Sequence, residues 1–218
     1  MNCEPVTVET LTLECTMKYK AVPVLNYKIE YPRFSHSEYQ NALDQMNCWY
    51  QCRAADLQKE FETQNYRDAS EQYDFSQKNN YPFPMHEAMV VFKITYNQEC
   101  CLSLYQDEYI FSGGAHGNTV RTSETWNVMT GCLYTLYGNR SDADQLQKNI
   151  LDQIDAQIKA HITKGENWYF DDYSKLVAET FNPKSFYVTP EGIMIYFQQY
   201  DIAPYSSGIQ EFVVRTDR

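Results

Sequence analysis

Apolar and polar positions change their period several times along the chain, and each change marks an element. Residues Val6 to Cys15 and Ala21 to Tyr31 are rich in Val, Thr, Ile and Tyr with partial alternation, the pattern of half-buried strands. Pro23 marks an edge or a bulge in the second run, and Pro32 ends it. Ser35 and Glu38 have the spacing of a capping box, which satisfies the free amides at a helix start. From there Tyr39, Leu43, Met46, Tyr50, Ala54, Leu57 and Phe61 recur at three- and four-residue steps and give one apolar helical face. Asp56, Lys59, Glu60 and Glu62 lie off that stripe.

The segment from Asn65 to Pro84 is polar and loses the helical period, so it reads as a connecting loop. Sheet-like sequence then resumes. Val90, Phe92, Ile94 and Tyr96 alternate, Asn97 to Glu99 makes a turn, Leu102 to Phe111 returns, and Val120 to Val128 alternates again after a glycine cluster. Thr130-Gly131 reverses the chain into Cys132 to Leu136, completing an antiparallel meander. A second helix opens at Ser141-x-x-Asp144, runs on Leu146, Ile150, Ile154, Ile158 and Ile162, and stops at Gly165 as a left-handed cap would stop it. A short helix spans Asp172 to Glu179, with Asp171-Asp172 as favourable charge at its N-terminus. Phe186 to Val188 and Ile193 to Phe197 form a hairpin around Pro190-Glu-Gly192, and Ile209 to Val214 adds a last strand. The expected fold is α+β: an antiparallel meander sheet packed by two main helices and one short helix. It divides into halves at 1–131 and 132–218 that make one compact unit.

Charge narrows the partners. The 218 residues carry a formal net charge of −11, a field that repels phosphate backbones and anionic lipid and attracts cationic proteins. Nucleic acid is therefore not an expected partner. No run reaches the roughly 18 apolar residues of a spanning helix, so no direct membrane insertion is expected. Met1 to Val6 does not read as a signal peptide: either the protein stays in the cytoplasm or a leader has been removed. Seven cysteines at irregular spacing are a weak disulfide signal in a chain of this size. Nineteen tyrosines, with apolar rings and polar tips, suit half-buried sheet faces and contact surfaces.

No catalytic centre is legible. Ser112-Gly-Gly-Ala-His-Gly117 lacks the spacing of a phosphate loop, and its glycines allow a tight bend between strands. His86-Glu87 lacks the second histidine of a zinc protease. Cys48 and Cys52 stand four apart on one helix face but have no further ligands at convincing spacing, so they read as two small residues beside the apolar stripe. No metal or cofactor is expected. Two loops remain. The first displays Gly113, Gly114 and His116. The second, Tyr200-Asp-Ile-Ala-Pro-Tyr205, is stiffened by Pro204 and presents Tyr200, Asp201 and Tyr205. Binding residues concentrate on loops held by a rigid sheet. If the sheet brings these two together, His116 and Tyr205 share one face and at least one named tyrosine is exposed.

Those two loops, with Gly117-Asn-Thr-Val-Arg-Thr122, Phe186 to Gly192 and Ile195 to Phe197, resemble the extracytoplasmic domain of RsiV-type anti-sigma factors. A related module precedes the catalytic domain of some peptidoglycan deacetylases. In RsiV the domain is an extracellular sensor that binds lysozyme, coupled to a membrane helix and a sigma-binding segment, and this sequence shows neither of those two. The resemblance therefore implies a non-enzymatic binding module placed outside the cytoplasm, with a cationic protein such as lysozyme or cell-wall fragments as partner. The alternative is an enzyme or accessory domain acting on peptidoglycan, which would need a polar pocket containing His116 and Asp201.

Overall fold

The structure, a computed structural model, describes residues 3–166 and 168–215. Residues 1 and 218, where the two expected halves begin and end, lie outside the described residues. The fold is α+β, as the patterning predicts. Strands β1 (Thr7–Tyr19) and β2 (Val22–Ser35) form a long hairpin. β3 (His86–Gln98), β4 (Cys101–Phe111), β5 (Asn118–Asn127) and β6 (Cys132–Leu133) add to it in chain order, β3 to β6 being the expected meander. All pairs are antiparallel except β2 and β3.

A parallel pair needs a crossover. It is supplied by α1 (Gln40–Glu60), a π-helical turn at Phe61–Asn65, and α2 (Tyr66–Asn79). The segment from Asn65 onward is thus helical as far as Asn79, not a loop. Its inner face carries Tyr66 and Tyr73 with the small residues Ala69, Ser70 and Ser76, so the apolar stripe is thin and interrupted by polar positions, while its Gln, Glu, Lys and Arg residues still favour a helix.

Three boundary expectations are corrected. The capping box at Ser35 and Glu38 does not form. Ser35 is the last residue of β2, opposite Thr7, and the Glu38 amide donates instead to Nδ1 of His36 at 3.2 Å. Helix α3 (Ala143–Thr163) starts at Asp142 without a side-chain cap, because Arg140 holds that carboxylate at 2.8–2.9 Å. Pro32 does not end β2: β3 pairs with β2 only over Leu25–Ile29, so past Ile29 the strand's second edge asks nothing of an N–H. The bulge at Pro23 is present, since the register shifts between Met17, opposite Leu25, and Lys18, opposite Pro23.

After α3 come α4 (Tyr173–Thr180) and a separate antiparallel sheet of β7 (Phe186–Thr189), β8 (Gly192–Phe197) and β9 (Gln210–Val214). Gly165 ends α3 at φ +84°, and the Glu166 amide reaches back to the His161 carbonyl at 3.0 Å, the expected left-handed cap. Ile150, Ile154 and Ile158 of α3 pack on Phe197, Ile202 and Phe212 in one core, while α1 packs on the large sheet through Leu43, Met46, Tyr50, Ala54 and Leu57.

The β3–β4 turn falls on Glu99 and Cys100, both at positive φ, one residue later than the sequence indicated. Cys100 is disulfide-bonded to Cys3 across 97 residues of chain. Beside the bridge, Val6 exchanges two hydrogen bonds with the Asn97 side chain, at 3.1 and 2.8 Å.

Candidate functional site

Strand β6 pairs with β5 only at Trp126 and Asn127. The next stretch of that edge is completed by side chains. Gln199 accepts the Thr119 amide at 2.9 Å, and Gln198 accepts the Arg121 amide at 2.9 Å while donating to the Arg121 carbonyl at 2.6 Å. Both glutamines follow β8 directly, so the loop after β8 is fixed beside the loop that precedes β5.

This brings the two sequence-predicted loops together. The His116 ring stacks on Tyr205 with centroids 3.6 Å apart and planes at 15°. Tyr200 lies 5.9 Å from Tyr205 and is 53% exposed. His116 is exposed too, and its Nδ1 lies 2.9 Å from the Gly117 carbonyl. Buried Ile202 and Ala203 root the second loop in the core, which leaves the aromatic rings at the rim.

The other predicted residues have more local work. Asp201 is half-buried and accepts the Gln198 amide at 2.7 Å. Burial pushes its carboxyl up, against the pull of that hydrogen bond. Gly113 and Gly114 both have positive φ, 90° and 92°, which is what the bend requires. Gly113 lies against the Gln72 side chain and Pro84, whereas Gly114 faces open space. A Cβ on Gly117 would land in the Tyr109 ring, so this position needs glycine for close approach.

Directly behind the loops lies a charged cluster that the sequence reading missed. Arg121 forks onto Asp107 with Nε and Nη2 at 2.6 and 2.7 Å, and its Nη1 pairs with Glu211 on β9. The guanidinium lies 3.7 Å from the Tyr105 ring centroid, and the Tyr187 hydroxyl donates to Glu211 at 2.6 Å. Burial opposes the charge on Arg121, but Asp107 and Glu211 outweigh it and hold the guanidinium above its ordinary range. Burial and the bond to Glu211 push the Tyr187 hydroxyl up. The legible signal was an arginine in the alternating run of β5, with acidic residues at Asp107 and Glu211 in two other strands.

Cys48 and Cys52 do not pack beside the apolar stripe. That stripe occupies the opposite side of α1, so both thiols are exposed, with sulfurs 3.8 Å apart. Among the described residues no group of three or more His, Cys, Asp or Glu side chains is placed to hold a metal.

Residues 20–119 match the family described as "Deacetylase PdaC", and residues 139–217 match the family described as "Protein of unknown function (DUF3298)". The glycine loop with His116 falls within the stretch that matches the first family, and the Tyr200–Gly208 loop falls within the stretch that matches the second. The aromatic cluster is therefore built across both. A crystal structure of a DUF3298 family member from Bacteroides fragilis superposes with a TM-score of 0.71 over 98% of this chain and 92% of that one, at 17% identity. A DUF3298 family protein from Pseudomonas aeruginosa gives a TM-score of 0.61 over 96% and 90%, at 14% identity. At such identities the likeness establishes the fold alone. No curated protein matches the sequence. No helix among the described residues is long and apolar enough to cross a membrane.

Proposed function

We propose that this chain is a non-enzymatic binding module of the RsiV-like kind, acting outside the cytoplasm and receiving a cationic protein such as lysozyme. The observation that carries this reading is the rim of His116, Tyr205 and Tyr200. Rigid aromatic rings lose little entropy on binding, and burying each contributes about 1–3 kcal/mol. The net charge of −11 favours encounter with a basic partner. The Cys3–Cys100 bridge fits an oxidising compartment.

The test is titration against lysozyme at low and physiological salt. Saturable binding that weakens with salt is expected, and Y200A and Y205A should each weaken it about tenfold, the equivalent of ~1.4 kcal/mol. Absence of binding at both salts removes lysozyme as the partner.

The match of residues 20–119 to a family described as a deacetylase favours a second reading, an accessory domain that holds cell-wall glycan. Sedimentation with purified peptidoglycan separates the two. Pelleting that Y200A abolishes, together with no affinity for lysozyme, would select the second.

A further inference from the structure

Helix α1 turns a row of four side chains to solvent at successive i, i+4 positions: Asp44, Cys48, Cys52 and Asp56. Residues four apart on a helix are neighbours on its surface, so the row is continuous. At its centre the Cys48 and Cys52 sulfurs stand 3.8 Å apart and share the weak hydrogen bond of two thiols. The function proposed above uses neither of them.

Two outcomes are open to a thiol pair: a disulfide or a shared cation. The helix disfavours the first. Cβ atoms at i and i+4 are about 5–6 Å apart, whereas a disulfide needs about 3.5–4.5 Å, so bridging would require the helix to deform. The second fits without movement. Two sulfurs each about 2.3 Å from a tetrahedral ion stand about 3.8 Å apart, the spacing already present. The surroundings also suit a cation. Asp56 is near enough to Cys52 to act on its thiol electrostatically, and Asp44 prolongs the acidic row. The two sulfurs also border different open grooves, Cys48 one that it lines with Arg33, Asp44 and Gln51, Cys52 one that it lines with Trp49, Arg53 and Asp56.

We infer that Cys48 and Cys52 form a surface site for one thiophilic divalent cation, held by two thiolates with its remaining positions open to water or an outside ligand. Binding replaces two S–H protons by two metal–sulfur bonds and releases both protons to solvent, with no change of oxidation state. Without the cation, hydrogen bonding and charge between the two sulfurs push the Cys52 thiol up, and the cation offsets that mutual repulsion.

Cadmium(II) is a suitable probe, because thiolate-to-cadmium charge transfer absorbs in the ultraviolet. The disulfide-intact protein should bind one cadmium per chain near pH 7 with the band of two thiolates, releasing about two protons per cation. C48S and C52S should each lower affinity at least tenfold and halve the band. The C15S/C132S double variant, which removes two other exposed thiols, should change neither. Cys101 is a poor competitor, since burial pushes its thiol up to about 11. All these substitutions are at exposed positions, so unchanged thermal melts should accompany them. A band that survives in the C48S/C52S double variant overturns the inference. So does ready closure of a Cys48–Cys52 disulfide by a mild oxidant in place of cadmium binding.

Discussion

Glu124 stands almost fully buried beneath α1, where the Tyr50 hydroxyl lies 3.3 Å from its carboxylate and itself accepts the Trp126 indole N–H at 2.8 Å. Burial pushes the Glu124 carboxyl up, and neither Arg53 nor the tyrosine bond fully compensates. Glu108, on the same face of the neighbouring strand, is pushed up by burial and by Glu60. A carboxyl raised in the folded state binds its proton more tightly there than in the unfolded chain. Its stabilising contribution is therefore complete below the ordinary carboxylate range and is lost as pH rises through the raised value. Urea unfolding measured from about pH 4 to pH 8 should show stability of the wild type falling with pH more steeply than that of E124Q, and E124Q should be the more stable at neutral pH. Identical slopes would mean that Glu124 is solvated.

Between elements, Arg121 of β5 ties β4 to β9. Its side chain is 9% exposed while those of Asp107 and Glu211 are 22% and 36% exposed, so removing it leaves two partly solvated carboxylates without their shared cation. R121A should cost about 1.5–3 kcal/mol in denaturant melts, the range for lost hydrogen bonds to charged groups. R121K, which keeps the charge but loses the planar fork and the stacking on Tyr105, should recover part of that. This joint shows where the sequence stopped being readable. Periodic elements such as α3 with its isoleucine stripe were plain, and so was the turn at Gly165, because each is decided by residues close in the chain. The far half of the crossover helix was not. A π-turn inserts its extra residue between Phe61 and Ala69, and α2 then packs through only two tyrosines, Tyr66 and Tyr73, among an alanine and serines. The two loops of the candidate site could be named from their glycine and proline chemistry. What holds them together, Gln198 and Gln199 across to Thr119 and Arg121, depends on pairings about 80 residues apart that no local pattern encodes.

At the scale of the whole molecule, the Cys3–Cys100 bridge closes a covalent loop across 97 residues, tying the start of the described chain to the β3–β4 turn. Reduction, or C3S, should lower stability by about 2–4 kcal/mol, read as a lower denaturant midpoint in the presence of reductant. An unchanged midpoint would show that the Val6–Asn97 hydrogen bonds suffice on their own. The glutamine clamp on β5 has a different consequence, one for how such a chain is inherited. A recombination event that carried off residues 20–119 alone would take the glycine loop but leave behind nearly all of β5. One that broke the gene just after β6 would keep β5 and strip Gln198 and Gln199 from it, exposing amides and carbonyls ready to pair with any passing strand. Selection against that aggregation would keep the two stretches travelling as neighbours.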